Sequence, residues 1–282
     1  MNVVLTFAAL TLREASRRKV LRALAGLTVV LLALSAWGFS RLAAENDFGA
    51  MTSGQARLVA SQLLNLVMFG MSLIAALGTA FLAGPTVSGE AESGVALSML
   101  ARPVRRSSVL LGKWMGLVAF GSGFVVLAGL AQCVVVYLTV DYWPSQPVVA
   151  LALLAAQTAT LLTLGLLLST VISPMASGVV AVGLFGATWI AGVVGGLGAA
   201  FGNDGVARVG AVSQILLPTD GLWRGAMHAL QDPTAFAAFG AEMAGFPFLS
   251  ASALSFGYLV WAAVWIAMVW GLAALSFGRR DL

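Results

Sequence analysis

The chain has 282 residues, of which 60% are hydrophobic and 9% are charged, and its net charge is +4 at pH 7. A soluble globular domain is only about 45–50% apolar and about 25% charged. This composition excludes an ordinary water-soluble fold and indicates a protein that crosses a membrane several times. We expect no nucleic-acid partner.

Six stretches of the sequence are long and apolar enough to cross a bilayer. A helix that spans the roughly 30 Å hydrocarbon core needs about 20 mostly apolar residues. We therefore predict an all-α membrane protein with six transmembrane helices and treat residues 1–282 as one transmembrane domain. The predicted spans are Val20 to Phe39, Leu58 to Leu82, Trp114 to Val140, Val148 to Ile172, Ala176 to Phe201 and Leu249 to Phe277.

The segment before the first span, Asn2 to Lys19, is predicted to form a short helix at the membrane surface. Its first half carries apolar residues such as Val3 and Leu10, and its second half is mostly basic. This division is typical of interfacial helices that contact the lipid bilayer. Glu14 and Arg18 are four residues apart, a spacing that supports a helix by ion pairing. Alternatively, the basic half only anchors the first span.

Lysine and arginine are concentrated on one side of the predicted membrane. Cytoplasmic loops carry the excess of these two residue types. With the N-terminus inside, eleven of the fifteen fall in cytoplasmic segments, so we predict that both termini are cytoplasmic. The four that fall outside are Arg41, Arg57, Arg208 and Arg224.

The predicted spans contain few side chains that could catalyse a reaction or bind an ion. Spans two to six contain no Asp, Glu, Lys, Arg or His, although ion-coupled carriers usually place such groups in the membrane. Intramembrane hydrolysis needs a nucleophile beside a base or a metal, yet His228 is the only histidine and Cys133 the only cysteine. We therefore predict neither an enzyme nor a metal site. Polar residues such as Ser72 and Gln157 either join helices by hydrogen bonds or line a path, and the first interpretation is favoured.

No nucleotide site is predicted in this chain. Gly112-Lys113 resembles the end of the phosphate-binding pattern G-x-x-x-x-G-K-[ST], but Trp114 follows it and Ser107 stands where the first glycine belongs. We therefore expect no cofactor in this chain. Any ATP-driven motor must be a separate protein that contacts the cytoplasmic side.

The longest cytoplasmic segment between spans is 83–113. We predict a chain break at Gly84-Pro85, a short helix over Thr86 to Met99 that lies on the membrane surface, and a second break at Pro103. Ser107 or Ser108 then caps a helix that continues through Lys113 into the third span.

The longest outer segment is 202–250. Asn203-Asp-Gly205 predicts a turn, and Thr219 is the expected N-cap of a helix that ends at Leu230. Arg224 and His228 are four residues apart on that helix. Its apolar side is expected at the outer membrane interface, or it forms a plain loop helix. The apolar side consists of Trp223, Met227 and Leu230.

Several motifs carry a resemblance to a known family. Glu90-x-Glu92-x-Gly94, Leu100-Ala-Arg-Pro103 and Leu110-Leu-Gly-Lys113 together resemble the loop after the second span of ABC transporter permeases of the type-2 exporter class. Leu12 to Lys19 is similar to the interfacial helix of that class, and Phe277 to Leu282 to its basic tail. Pro218-Thr-Asp220 also resembles permeases of the nitrous-oxide-reductase maturation system, which is linked to copper-site assembly.

The resemblance implies a transport subunit of a prokaryotic cell membrane (inner or plasma membrane) that works by alternating access. Its partners would be cytosolic ATPase subunits, which bind ATP and Mg²⁺, and a second permease copy, identical or not. The alternative is a passive channel or membrane scaffold that has no ATPase partner. The residues expected to contact the ATPase are Glu90, Glu92, Gly94, Arg102, Pro103 and Arg105, and those expected on an exit-gating outer helix are Pro218, Asp220 and Arg224.

Overall fold

A computed structural model describes residues 3–44, 53–92, 105–239, 247–250 and 252–279. Within these ranges the chain forms ten helices and no strand. In chain order they are α1 (Val3–Arg17), α2 (Lys19–Ala44), α3 (Ser53–Glu92), α4 (Arg106–Val140), α5 (Pro147–Ser169), α6 (Pro174–Ala200), α7 (Asp204–Leu216), α8 (Thr219–Leu230), α9 (Pro233–Phe239) and α10 (Phe256–Arg279).

Six of these helices, namely α2, α3, α4, α5, α6 and α10, are long and apolar enough to cross a membrane. The prediction of an all-α protein with six spans is therefore confirmed. Helix α5 lies at the centre, with 72% of its most apolar stretch buried, against 22% for α2 and α10. The outer helices thus present broad apolar surfaces, as expected for helices surrounded by lipid.

The two ends of the bundle are defined by their contacts. Arg106, at the start of α4, places Nη1 3.4 Å from the main-chain carbonyl oxygen of Phe277 near the end of α10. We call this end, which also holds α1, the α1 end. The opposite end, where α3, α5 and α10 begin, holds α8 and is called the α8 end. The side of the membrane that each end faces remains a prediction.

Helix α3 corrects the prediction of a chain break at Gly84-Pro85. It continues through Pro85 to Glu92, so a separate helix beginning at Thr86 is wrong. Proline inside a helix costs about 3 kcal/mol or more because one hydrogen bond is lost. Packing offsets part of this cost, since Ala83 is fully buried and a side chain on Gly84 would collide with Pro174 of α6. Residues 93–104 lie outside the described residues.

The last span also differs from its predicted bounds. Helix α10 begins at Phe256, seven residues after the predicted start at Leu249. Leu249 and Ser250 are buried, and the neighbouring Phe248 packs on Phe69 of α3 with ring centroids 5.7 Å apart. Hydropathy shows that a stretch is apolar, but it does not show whether the stretch is a helix that spans the membrane or an irregular segment that covers the core.

Candidate functional site

The predicted outer segment folds back into the bundle. After α6 the chain turns at Gly202, whose φ of +68° suits glycine, and Asn203 caps α7 by accepting a hydrogen bond from the main-chain nitrogen of Val206 at 3.2 Å. Helix α7 then runs back along α6. A Cβ atom on Gly195 would lie 2.6 Å from the Cα atom of Gly210, so only glycine permits this approach.

One hydrogen bond to α5 shows how deeply the segment after α7 enters the bundle. Gln157 donates from Nε2 to the main-chain carbonyl of Thr219, the first residue of α8, at 3.2 Å. Gln157 lies ten residues after Pro147, where α5 begins, which corresponds to about 15 Å along the helix. The connection between α7 and α8 therefore lies inside the bundle. We call these two helices the re-entrant hairpin.

Helix α10 supplies hydrogen bonds that this hairpin needs. The last carbonyl groups of a helix have no partner within the helix, and at membrane depth an unpaired carbonyl is costly. One hydroxyl group and two indole groups on a single face of α10 donate to the last carbonyls of α7. The pairs are Tyr258 with Gln214 at 2.9 Å, Trp261 with Ile215 at 3.1 Å and Trp265 with Leu216 at 2.8 Å.

The buried charge in the hairpin is Asp220, in the first turn of α8. It is 2% exposed and accepts hydrogen bonds from Arg224 Nε at 2.9 Å and from Gln214 Nε2 at 2.8 Å. Gly192 of α6 leaves space for the carboxylate, since any Cβ atom there would collide with it. Burial raises the pKa of Asp220, while the charge and hydrogen bonds of Arg224 and Gln214 act in the opposite direction. The Asp220–Arg224 pair lies within α8, and the hydrogen bond from Gln214 joins its carboxylate to α7.

The hairpin is also joined to the other helices by polar side chains. Ser72 of α3 donates to Gln157 Oε1 at 2.8 Å, and the hydroxyl groups of Thr188 and Thr219 are 3.0 Å apart. The interpretation of Ser72 and Gln157 as residues that join helices is thus confirmed. Four membrane-spanning helices, α3, α5, α6 and α10, bond to the hairpin directly or through one side chain.

Two predictions for α8 are wrong in detail, although the helix ends at Leu230 as predicted. Trp223 and Met227 are 1% exposed and lie in the protein core, where the outer membrane interface was expected. Leu230 is fully buried as well. The periodicity shows which residues share a face, but a buried core and a lipid surface select the same residue types. Pro218, not Thr219, is the N-cap residue.

At the α1 end, two cations hold the proline-containing stretch of α3. Pro85 has no N–H group to donate to the Phe81 carbonyl four residues earlier. Arg18, which joins α1 to α2, donates from Nη1 to that carbonyl at 3.3 Å. Lys113 of α4 is 5% exposed and donates from Nζ to the main-chain carbonyl of Thr86 at 3.0 Å. We call Arg18 and Lys113 with the stretch 81–86 the Pro85 clamp.

Helix α1 packs closely on α4 beside this clamp. A Cβ atom on Gly112 would lie 2.6 Å from Phe7 Cβ, and one on Gly116 would lie 2.7 Å from the carbonyl oxygen of Ala8. The expected Glu14–Arg18 pair forms at 2.6 Å. Helices α1, α3 and α4 therefore pack together at the α1 end, where Ala15, Leu82 and Leu117 share one apolar cluster.

The family model of ABC-2 family transporter proteins matches residues 5–282. The chain belongs to this family. It is an ABC-2 permease, the membrane subunit of an ABC transporter, and it crosses the membrane several times. No curated protein matches the chain.

Three of the six residues that were predicted to contact an ATPase fall within the described part of the ABC-2 permease. Glu90 and Glu92 are in the last turn of α3, and Arg105 is exposed immediately before α4. Gly94, Arg102 and Pro103 lie outside the described residues. Helix α4 starts at Arg106 without a side-chain cap, so the expected cap by Ser107 or Ser108 is wrong. Its predicted continuation through Lys113 is confirmed. Contact with an ATPase remains a prediction.

The three residues that were predicted on the outer helix all fall within the described part of the chain. Pro218 starts α8, and Asp220 and Arg224 are brought together as an ion pair. Sequence reasoning missed Gln214, Tyr258 and Trp265, whose hydrogen bonds fix the hairpin. In the described part of the permease, no group of three or more His, Cys, Asp or Glu side chains is placed to hold a metal ion.

Proposed function

We propose that this ABC-2 permease is the membrane subunit of an exporter powered by a separate cytosolic ATPase. The ATPase binds ATP and Mg²⁺ and docks on segment 83–113, with the α1 end facing the cytoplasm of a prokaryotic cell. The excess of lysine and arginine at that end supports this orientation. The permease itself contributes no catalytic residue.

The observation that carries the proposal is the Pro85 clamp. Helix α3 enters segment 93–104 and α4 leaves it, and Lys113 bonds the two helices where they approach that segment. A push on the segment would therefore move α1, α3 and α4 together. Helix α3 is also linked to the re-entrant hairpin through α5. Ser72 of α3 bonds Gln157 of α5, which in turn bonds Thr219 of the hairpin. The hairpin is the element that would open toward the other side.

The transport path is proposed to lie between two permease copies. Beside Gly78 and Phe120, the gap among the helices of one copy has about 20 Å³, space for about one water molecule. An apolar groove of about 470 Å³ runs between α3 and α6, lined by Phe81, Met175 and Val179 among others. A second copy beside this groove would complete a path large enough for a substrate.

The test is a mild-detergent pull-down of the tagged permease from its own membranes, with bound proteins identified by mass spectrometry. Wild type is expected to recover a cytosolic ATPase, and Glu90→Arg/Glu92→Arg is expected to lose it. The matched control is Glu45→Arg/Asp47→Arg, two acids at the same spacing in a segment predicted to be outside. This control is expected to keep the ATPase.

The outcomes separate the proposal from the passive channel or scaffold. Recovery of no ATPase by wild type, from a complex that stays intact by size, would favour the passive alternative. Equal ATPase loss from both double variants would show that charge reversal disturbs assembly generally, and the docking assignment would then be wrong.

A further inference from the structure

We propose that the exposed side of α1 is a binding site for the headgroup of an anionic phospholipid, with Arg13 and Arg17 as its cationic contacts. An open groove of about 540 Å³ runs along this side of the helix. Its lining consists of Leu10, Arg13, Glu14, Arg17 and Arg18. This proposal is independent of ATPase docking.

Two of the three arginines that line the groove are available to bind an anionic ligand. Glu14 is already paired with Arg18 at 2.6 Å. Arg13 and Arg17 are exposed, and their guanidinium groups have no hydrogen-bond or ion-pair partner among the described residues. They are four residues apart on one face, where like charges destabilise a helix. A phosphate group between them would remove that repulsion and accept hydrogen bonds from both guanidinium groups.

The position of α1 favours lipid over a soluble anion. Only Arg18 separates α1 from α2, whose membrane-spanning part begins at Leu21. Arg17 is therefore four residues from the start of a span, or about 6 Å along a helix. This distance places Arg17 at the level of the headgroups, and Arg13 lies about one helical turn from it on the same face.

The apolar residues around the two arginines point to a bilayer rather than to the acidic surface of another protein. At 3.6 residues per turn, Leu10 lies on one side of Arg13 and Arg17, and Leu5 and Leu12 lie on the other. These leucines are 52%, 58% and 42% exposed, respectively. Cations flanked by exposed apolar side chains match headgroups with acyl chains beside them.

The experiment titrates the purified full chain with dioleoylphosphatidylglycerol or dioleoylphosphatidylcholine and counts bound lipid by native mass spectrometry. Wild type is expected to bind the anionic lipid more tightly. One cation near an anionic lipid surface raises binding about fivefold, so Arg13→Gln/Arg17→Gln is expected to weaken phosphatidylglycerol binding about 25-fold. Arg13→Lys/Arg17→Lys should retain most of it.

The matched control is Arg41→Gln/Arg208→Gln, which removes two exposed cations at the α8 end and should bind phosphatidylglycerol as wild type does. Equal loss in this control would overturn the site in favour of general charge attraction. Displacement of the lipid by inorganic phosphate at equal concentration would overturn the headgroup assignment in favour of a free anion. If Arg13→Gln/Arg17→Gln keeps the lipid but loses a co-purifying ATPase, the groove is a protein contact.

Discussion

Asp220 and Arg224 form an ion pair of 2.9 Å one helical turn apart, with the carboxylate enclosed between α6, α7 and α10. Breaking a buried pair by removing one partner typically costs about 3–5 kcal/mol, because the other charge is left buried and uncompensated. The pair itself lies within α8, and Gln214 of α7 bonds the same carboxylate, so loss of Arg224 also affects the contact between the two helices of the hairpin.

The first prediction concerns this pair. Arg224→Ala is expected to destabilise the permease by about 3 kcal/mol, whereas Asp220→Asn/Arg224→Gln, which leaves no buried charge, is expected to recover part of the loss. Reversible unfolding in mixed detergent micelles measures both free energies. Arg208→Ala, an exposed arginine on α7, serves as the control. Wild-type stability in Arg224→Ala would show that the pair contributes nothing.

The second prediction is a pH dependence of the same variant. Burial raises the pKa of Asp220, and loss of Arg224 removes an influence that lowers it. An acid whose pKa is higher in the folded state binds more protons there, so its stability falls as pH rises from the unfolded pKa through the folded pKa. The penalty of Arg224→Ala should therefore be smallest near pH 4 and grow toward higher pH, starting from the ordinary carboxyl range of about 3.9. Unfolding curves over that range check this, and a penalty independent of pH would contradict it.

The third prediction tests the hydrogen bonds from α10. Trp265→Phe leaves the Leu216 carbonyl without its indole donor and is expected to cost about 1–3 kcal/mol. Trp270 lies on the same helix, and its buried Nε1 has no partner among the described residues, so Trp270→Phe removes no hydrogen bond. The unfolding temperature of Trp265→Phe should lie well below that of Trp270→Phe. Equal effects would mean that only the volume of the indole matters.

The fourth prediction tests the packing of α1. Gly112→Ala would bring Cβ to within 2.6 Å of Phe7 and is expected to destabilise the α1–α4 contact by about 1–3 kcal/mol. Gly123→Ala on the same helix meets nothing within 4 Å and should leave stability unchanged or slightly raised. Limited proteolysis of α1, read beside the unfolding temperature, shows whether this contact is the one that weakens. Equal protease resistance in both variants would contradict the prediction.

What the sequence predicted well depends on properties that are local along the chain. A stretch of about 20 apolar residues identifies a span without any knowledge of its neighbours, and six were found. The end of α8 at Leu230 and its start to within one residue were also predicted, because Pro218 before it and the polar Gln231 after it interrupt the pattern locally. The spacing of Glu14 and Arg18 likewise predicted a pair that forms.

What the sequence did not predict depends on contacts between distant residues. Trp265 and Leu216 are 49 positions apart, and neither carries a motif that announces the other. Pro85 predicted a chain break, but Arg18, 67 positions earlier in the sequence, bonds the carbonyl that this proline leaves free. The apolar face of α8 fits lipid and protein equally by composition, so its burial follows only from the re-entrant path of α7.

The fifth prediction links the Pro85 clamp to transport and depends on the proposed ATPase partner. Lys113→Met keeps a long side chain but cannot donate to the Thr86 carbonyl, so α3 and α4 lose a bond where they approach segment 93–104. We expect the variant to assemble with the ATPase normally while transporting less substrate per ATP hydrolysed. Lys19→Met, an exposed lysine at the same end, should keep the wild-type ratio. Reconstituted vesicles allow hydrolysis and transport to be measured together. A proportional fall in both would show that Lys113 only stabilises the fold, whereas hydrolysis that continues while transport falls identifies it as a positioning residue for coupling.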